Sequence, residues 1–126
     1  MAILNRKPNI VIVDDEQNIL TMLERYFSRE ADCSVRTFSN PVTALGSIKG
    51  DTDLVLLDIM MPQMDGLELL AKLQEKYPDI KVVMMTAYST LDKVLKAHRH
   101  GATHYVMKPF SSLDALKRKV DEVLAD

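Results

Sequence analysis

Reactive side chains stand directly after short apolar runs at four places in the chain. Asp14, Asp15 and Glu16 follow residues 10–13, Asp58 follows 54–57, Thr86 follows 82–85, and Lys108 follows 103–107. Singly, most of these have an ordinary reading. Asp14 and Asp15 suit the solvated start of a helix, where carboxylates meet the positive end of the dipole. Thr86 reads as a β-branched strand residue and Lys108 as a surface lysine. Asp58 is more pointed, because a carboxylate ending an apolar strand must be solvated, paired or bound to a cation.

Together they supply carboxylates, a hydroxyl and an ammonium. Two carboxylates at about 4 Å repel by about 4 kcal/mol at an effective dielectric near 20, so a group of three requires a cation or a bound proton. Oxygen ligation by few carboxylates and several waters matches Mg²⁺, which often bridges to phosphate. A phosphoryl group placed there would meet the cation, the Lys108 ammonium and the Thr86 hydroxyl, a set able to neutralise its equatorial oxygens during in-line transfer. Asp58 is then the nucleophile, needing one carboxylate oxygen free to attack.

The elements that must position these groups follow from the hydrophobic pattern. Runs 10–13, 54–57 and 82–85 are almost wholly apolar, as expected of parallel strands covered on both faces. Weaker strands are predicted at 33–38 and 103–107. Helical spacing links Ile19, Leu20, Leu23, Tyr26 and Phe27; then Leu67, Leu70, Leu73 and Tyr77; then Leu91, Val94, Leu95 and His98; and finally Leu113, Leu116, Val120, Val123 and Leu124. Asn40-Pro41 marks an N-cap with proline at the first helical position, and Gly50 suits the left-handed residue after that helix. Gly101 is expected to close another helix, Pro78 to stop the one ending near Tyr77, and Ser111 with Asp114 to cap the last. The fold class is therefore α/β: a single doubly wound sheet of five parallel strands with helices on both faces. Ligands of such sheets bind beyond the carboxyl ends of the strands, which is where the reactive set stands.

Composition narrows the classes. The 126 residues suit one domain, and 47% apolar content suffices for one core. A formal charge of −2, from 16 Lys+Arg and 18 Asp+Glu, provides no overall positive field for nucleic acid or an anionic membrane. Cys33 is the only cysteine, so there is no internal disulfide or cysteine-based zinc site, and a reducing compartment is expected. It reads as a small buried hydrophobe. No export signal or span of about 20 apolar residues is present, so the expected location is cytoplasmic. His98, His100 and His104 lack the spacing of a metal set. The eight methionines read as core and loop filler.

The motifs VDDE at 13–16, LLDIMMPQMDG at 56–66, MTAY at 85–88 and YVMKPF at 105–110 closely resemble the receiver domain of bacterial two-component response regulators, over nearly the whole chain. The resemblance implies one receiver domain over residues 1–126, with strand order 2-1-3-4-5. It implies Asp58 as phosphoacceptor, Asp15 as a direct Mg²⁺ ligand, Asp14 as a ligand through water, and the Met60 backbone carbonyl as a further ligand. Thr86 and Lys108 would contact the phosphoryl oxygens, and Pro109 would follow a cis bond from Lys108. Tyr105 matches an aromatic switch position, although alone it reads as a half-buried strand aromatic. In that scheme Thr86 moves toward the phosphoryl group, Tyr105 turns inward, and the face made by the fourth helix, fifth strand and fifth helix changes shape. The small Ala87 leaves the site open, and Tyr88 and Met60 stand where the family tunes acyl-phosphate lifetime. Implied partners are a sensor histidine kinase or phosphotransfer protein, and a downstream effector domain or target protein. A dimer formed on phosphorylation belongs to the same scheme.

Such a domain is a switch rather than an enzyme acting on other molecules, although it catalyses its own phosphorylation and dephosphorylation. Four other readings compete. A receiver-like docking module that never becomes phosphorylated would not need the complete site. A stand-alone phosphorelay shuttle would pass the phosphoryl group on. A haloacid-dehalogenase-like phosphatase also uses an aspartyl nucleophile and Mg²⁺, but carries Asp-x-Asp, whereas Met60 stands two residues after Asp58. In a flavodoxin-like flavin carrier the acidic turn 14–16 would repel the flavin phosphate.

Overall fold

The computed structural model describes residues 7–86 and 104–125. In chain order the elements are β1 (Asn9–Val13), α1 (Gln17–Arg29), β2 (Ser34–Phe38), α2 (Pro41–Ser47), β3 (Leu54–Asp58), α3 (Gly66–Lys76), β4 (Lys81–Thr86), β5 (His104–Met107) and α4 (Leu113–Ala125). The helix expected over Leu91, Val94, Leu95 and His98, with its end at Gly101, lies outside the described residues. So do Ala87, Tyr88 and His100. The helix labelled α4 is the one expected last in the chain.

All strand pairs are parallel and the order is β2-β1-β3-β4-β5, the doubly wound arrangement expected. The central strands are buried on both faces because alternate side chains serve two cores. Val11, Val13, Val55, Leu57, Val82 and Met84 pack with Ala44 of α2, with Ile48 just after it, and with Leu69, Leu70 and Leu73 of α3. Ile10, Ile12, Leu54, Leu56, Val83 and Met85 pack with Leu20, Leu23 and Phe27 of α1 and Leu116, Val120 and Val123 of α4. An unbroken apolar run is thus the sum of two period-two patterns. Cys33 is buried in the second core, as expected, and burial pushes its thiol pKa up.

The helix boundaries agree with the sequence in part. Asn40 caps α2, its side chain accepting from the Val42 and Thr43 amides, with Pro41 in the first turn. α3 ends at Lys76, with Tyr77 as C-cap, immediately before Pro78. Two expectations need correction. Gly50 is not the left-handed residue after α2: that helix ends at Ser47, because Ile48 turns extended (φ −70°, ψ 134°) to reach the core, where it is buried. Gly50 instead lies against Tyr77, whose ring would be 3.5 Å from an added Cβ. The cap of α4 is Ser112 rather than Ser111, for Ser112 Oγ accepts from the Ala115 amide at 3.0 Å. Asp114 accepts from the Tyr26 hydroxyl of α1 and so ties the two helices of the second core.

Candidate functional site

Register carries the reactive residues to one edge. Val13 is paired with Leu57, so Asp14 and Asp58 are the next residues on adjacent strands. Asp58 is paired with Met85, which places Thr86 one step beyond it, and Thr86 is paired with Met107, the residue before Lys108. The Lys108 amide donates to the Thr86 carbonyl at 2.6 Å, extending the β4–β5 ladder to the lysine. The Lys108–Pro109 peptide bond is cis.

Asp14 is 0% exposed and fully engaged. One carboxylate oxygen accepts from the Lys108 ammonium at 2.6 Å and the other from the Glu16 amide at 2.9 Å. Its own amide donates to the Phe38 carbonyl at 3.1 Å. The Lys108 Nζ also lies 3.5 Å from Asp58 Oδ1 and 3.9 Å from Glu16 Oε1. One ammonium therefore faces three carboxylates, although β5 and β1 are separated in the sheet by β3 and β4.

That crowding shows in the acidities. Burial, then the Asp14 charge and more weakly that of Asp15, push the Asp58 carboxyl up to about 7, against the opposing pull of Lys108. For Lys108, burial favours the neutral amine. The hydrogen bond to Asp14 and the charges of Asp58, Asp14 and Glu16 outweigh it, and the pKa rises. Lys108 is thus a fixed cation, while the crowded Asp58 carboxyl holds its proton up to about pH 7.

The donors fit a hard divalent cation. Carboxylate oxygens of Asp14, Asp15 and Glu16 all lie within 4.8 Å of one another, with Asp15 and Glu16 exposed to incoming solvent. The set is all oxygen, which suits Mg²⁺ better than a softer metal. Glu16 is the member not singled out as a ligand from the sequence. Its signal was adjacency: the turn after β1 presents three acidic residues in a row. Asp58 joins the group through Lys108.

The other sequence-picked residues are placed as follows. Thr86 is buried at the end of β4. Met60 is exposed in the loop after β3, unlike the core methionines Met84 and Met85. Tyr105 is 49% exposed on β5, and Met107 on the same side of the strand is also exposed. The loop from β3 returns to the sheet where the Gly66 amide donates to the Ile59 carbonyl at 2.7 Å. There Asp65 caps α3 by accepting from the Leu67 amide at 2.6 Å and the Glu68 amide at 3.3 Å. Among the described residues no buried side-chain polar atom lacks a partner, and no helix is long and apolar enough to cross a membrane.

Comparison with known proteins gives the same picture over most of the chain. Residues 10–121 match the family described as response regulator receiver domain. The DNA-binding transcriptional regulator NtrC of Proteus hauseri is 39% identical over 121 residues, 95% of this chain but 24% of that protein. The regulatory protein AtoC of Escherichia coli is 38% identical over 128 residues, 98% of this chain and 26% of that protein. The chain thus spans about a quarter of the length of these curated relatives. Among solved structures, the receiver domain of NtrX from Brucella abortus superposes with a TM-score of 0.85 at 30% identity, covering 92% of this chain and 98% of that one. The BeF3-activated DrrB receiver domain does so with a TM-score of 0.85 at 30% identity, covering 95% and 99%. With its parallel sheet, acidic edge and matched motifs, this chain belongs to the response regulator receiver domain family.

Proposed function

We propose that residues 1–126 act as one receiver domain, in which Asp58 accepts a phosphoryl group in the presence of Mg²⁺. The observation that carries this reading is the Lys108 ammonium held between Asp14 at 2.6 Å and Asp58 at 3.5 Å. A carboxylate this crowded gains from any added positive charge, and a lysine beside it is ready to meet anionic oxygens. The residues that would hold the metal are Asp14, Asp15, Asp58 and the Met60 carbonyl, with Glu16 alongside. A bound Mg²⁺ would supply charge neutralisation and orient the phosphoryl oxygens.

The rest is done by the chain's own groups. An Asp58 oxygen attacks phosphorus in line, forming the acyl phosphate O–P bond as the P–N bond of a donor phosphohistidine breaks. The leaving imidazole keeps the electron pair and takes up a proton from solvent. Lys108 shifts its contact from Asp58 to the phosphoryl oxygens, and the Thr86 hydroxyl binds another. In this reading the domain catalyses its own phosphorylation and later hydrolysis at Asp58. The donor is a histidine kinase or phosphotransfer protein.

The switch works through Thr86, Tyr105 and Pro109. The outward Tyr105 and the Thr86–Lys108 backbone bond support it, since a movement of Thr86 is felt directly at the end of β5. The surface formed by β5 and α4, the described part of the face that the resemblance implicates, then controls an output or a phosphorylation-dependent dimer. Of the curated relatives named above, that of Proteus hauseri is a DNA-binding transcriptional regulator and that of Escherichia coli a regulatory protein, each about four times as long as this chain. By that likeness the output is a separate DNA-binding unit in the cytoplasm, with no nucleic-acid contact by this domain.

The test is labelling with radioactive acetyl phosphate, followed by beryllofluoride titration. Label is expected only with Mg²⁺, with amide shifts around Thr86 and Tyr105, and none in Asp58→Asn. Undiminished label in Asp58→Asn would remove Asp58 as the nucleophile. An unchanged Mg²⁺ titration in Asp15→Ala would remove Asp15 from the ligand set.

A further inference from the structure

The start of α3 lies against the backbone of the residue assigned as phosphoacceptor. A Cβ added at Gly66 would stand 2.2 Å from the Asp58 carbonyl oxygen, 2.8 Å from the Ile59 Cα and 3.0 Å from the Asp58 carbonyl carbon. All three are backbone atoms, so no side chain can rotate away. Real Cβ contacts essentially never fall below 3.0 Å, so the Asp58 oxygen and residue 66 must separate by about 0.8 Å before any side chain fits. The close approach is also fastened, for the Gly66 amide donates to the Ile59 carbonyl at 2.7 Å and Asp65 holds the first turn of α3 on the other side. Gly46 makes the contrast, because an added Cβ there meets nothing within 4 Å.

The two sides of the contact differ in freedom. The Asp58–Ile59 peptide ends a strand, with the Ile59 amide donating to the Met85 carbonyl at 3.3 Å. α3 is anchored by buried Leu69, Leu70 and Leu73. A displacement is therefore shared between the anchored helix and the peptide that carries the Asp58 side chain and leads into Met60.

We infer that Gly66 is a positioning residue for phosphoryl transfer: its missing side chain lets the N-terminus of α3 lock the Asp58–Ile59 peptide, and so fixes the Asp58 carboxylate and the Met60 carbonyl relative to Asp14 and Lys108. The inference rests on the assignment of Asp58 as phosphoacceptor. Moving a nucleophile by the better part of 1 Å while leaving Lys108 and Asp14 in place spoils alignment far more than it spoils the fold.

The experiment compares wild type, Gly66→Ala and Gly46→Ala. Each is followed by urea unfolding, by Mg²⁺ titration of amide spectra, and by initial rate of labelling from acetyl phosphate at saturating Mg²⁺, scaled to the folded fraction. Gly66→Ala is expected to label on the order of tenfold to a hundredfold more slowly and to bind Mg²⁺ more weakly. Gly46→Ala should match wild type in both. Loss of stability in Gly66→Ala with wild-type labelling and Mg²⁺ affinity overturns the inference, since only the helix would then have needed the glycine. If Gly66→Ala does not fold, the wild-type Gly66 amide decides: it must shift in the same Mg²⁺ titration as Asp58 and Met60, and a stationary signal overturns the inference. Absence of labelling in the wild type would instead sink the Asp58 assignment.

Discussion

Replacing Asp58 by asparagine should stabilise the metal-free protein, by an amount that depends on pH. Burial and the Asp14 charge raise the carboxyl from 3.8 to about 7. A shift of about 3 units at about 1.4 kcal/mol each gives about 4 kcal/mol as a ceiling. Because the site opens toward solvent at Asp15 and Glu16, where charge is screened, about half of that is expected, or about 2 kcal/mol. The sign follows from proton counts. Between about pH 4 and 7 the folded chain holds a proton on Asp58 that the unfolded chain has released, so wild-type stability falls as pH rises through this window. Below about pH 4 both states are protonated and the effect vanishes; above about 7 it is complete. Asp58→Asn removes the titration, so its advantage over wild type should grow from near zero at pH 4 to about 2 kcal/mol at pH 8. Urea unfolding of both proteins in EDTA at several pH values measures the gap, and added Mg²⁺ should narrow it by stabilising the wild type alone. A gap that stays constant with pH would refute the claim that the crowded Asp58 carboxyl holds its proton up to about pH 7.

Other perturbations have distinct readouts. Lys108→Met leaves the buried Asp14 carboxylate without its cation and should cost about 3 kcal/mol in metal-free buffer, measured by urea unfolding, with part of the loss recovered by Mg²⁺. Asp65→Ala removes the cap of α3 and should cost about 1 kcal/mol by the same assay. The Tyr26 phenol, held by its hydrogen bond to Asp114, should ionise at about 12 in an ultraviolet titration, and Asp114→Asn should return it toward 10. Phe27→Ala should destabilise by about 3–5 kcal/mol, since the ring is fully buried between α1 and the sheet.

The strands were readable because a segment covered on both faces has nowhere to place a polar residue until it ends. The same uniformity hid which side chain faces which helix layer, since Val11 and Ile12 look alike in sequence yet serve different cores. Local caps were readable where one residue type dominates, as at Asn40. They failed where neighbours compete: Ser111 and Ser112 are chemically identical, and only the backbone path decides which hydroxyl meets the Ala115 amide. At the site, residue types and order were legible, but the partnership of Asp14 with Lys108 was not, because nothing local links residues 94 positions apart. Gly66 was visible only as a motif letter, since its importance is a distance to another strand's backbone.

The Asp14–Lys108 pair has a consequence for how the protein is made. During synthesis the carboxylates at 14 and 58 leave the ribosome long before residue 108 does. A partly made chain holds the acidic residues without the ammonium that lets two of them sit in the interior, so their mutual repulsion opposes early closure of the edge. The acidic edge closes against its lysine only once β5 has been made and docked.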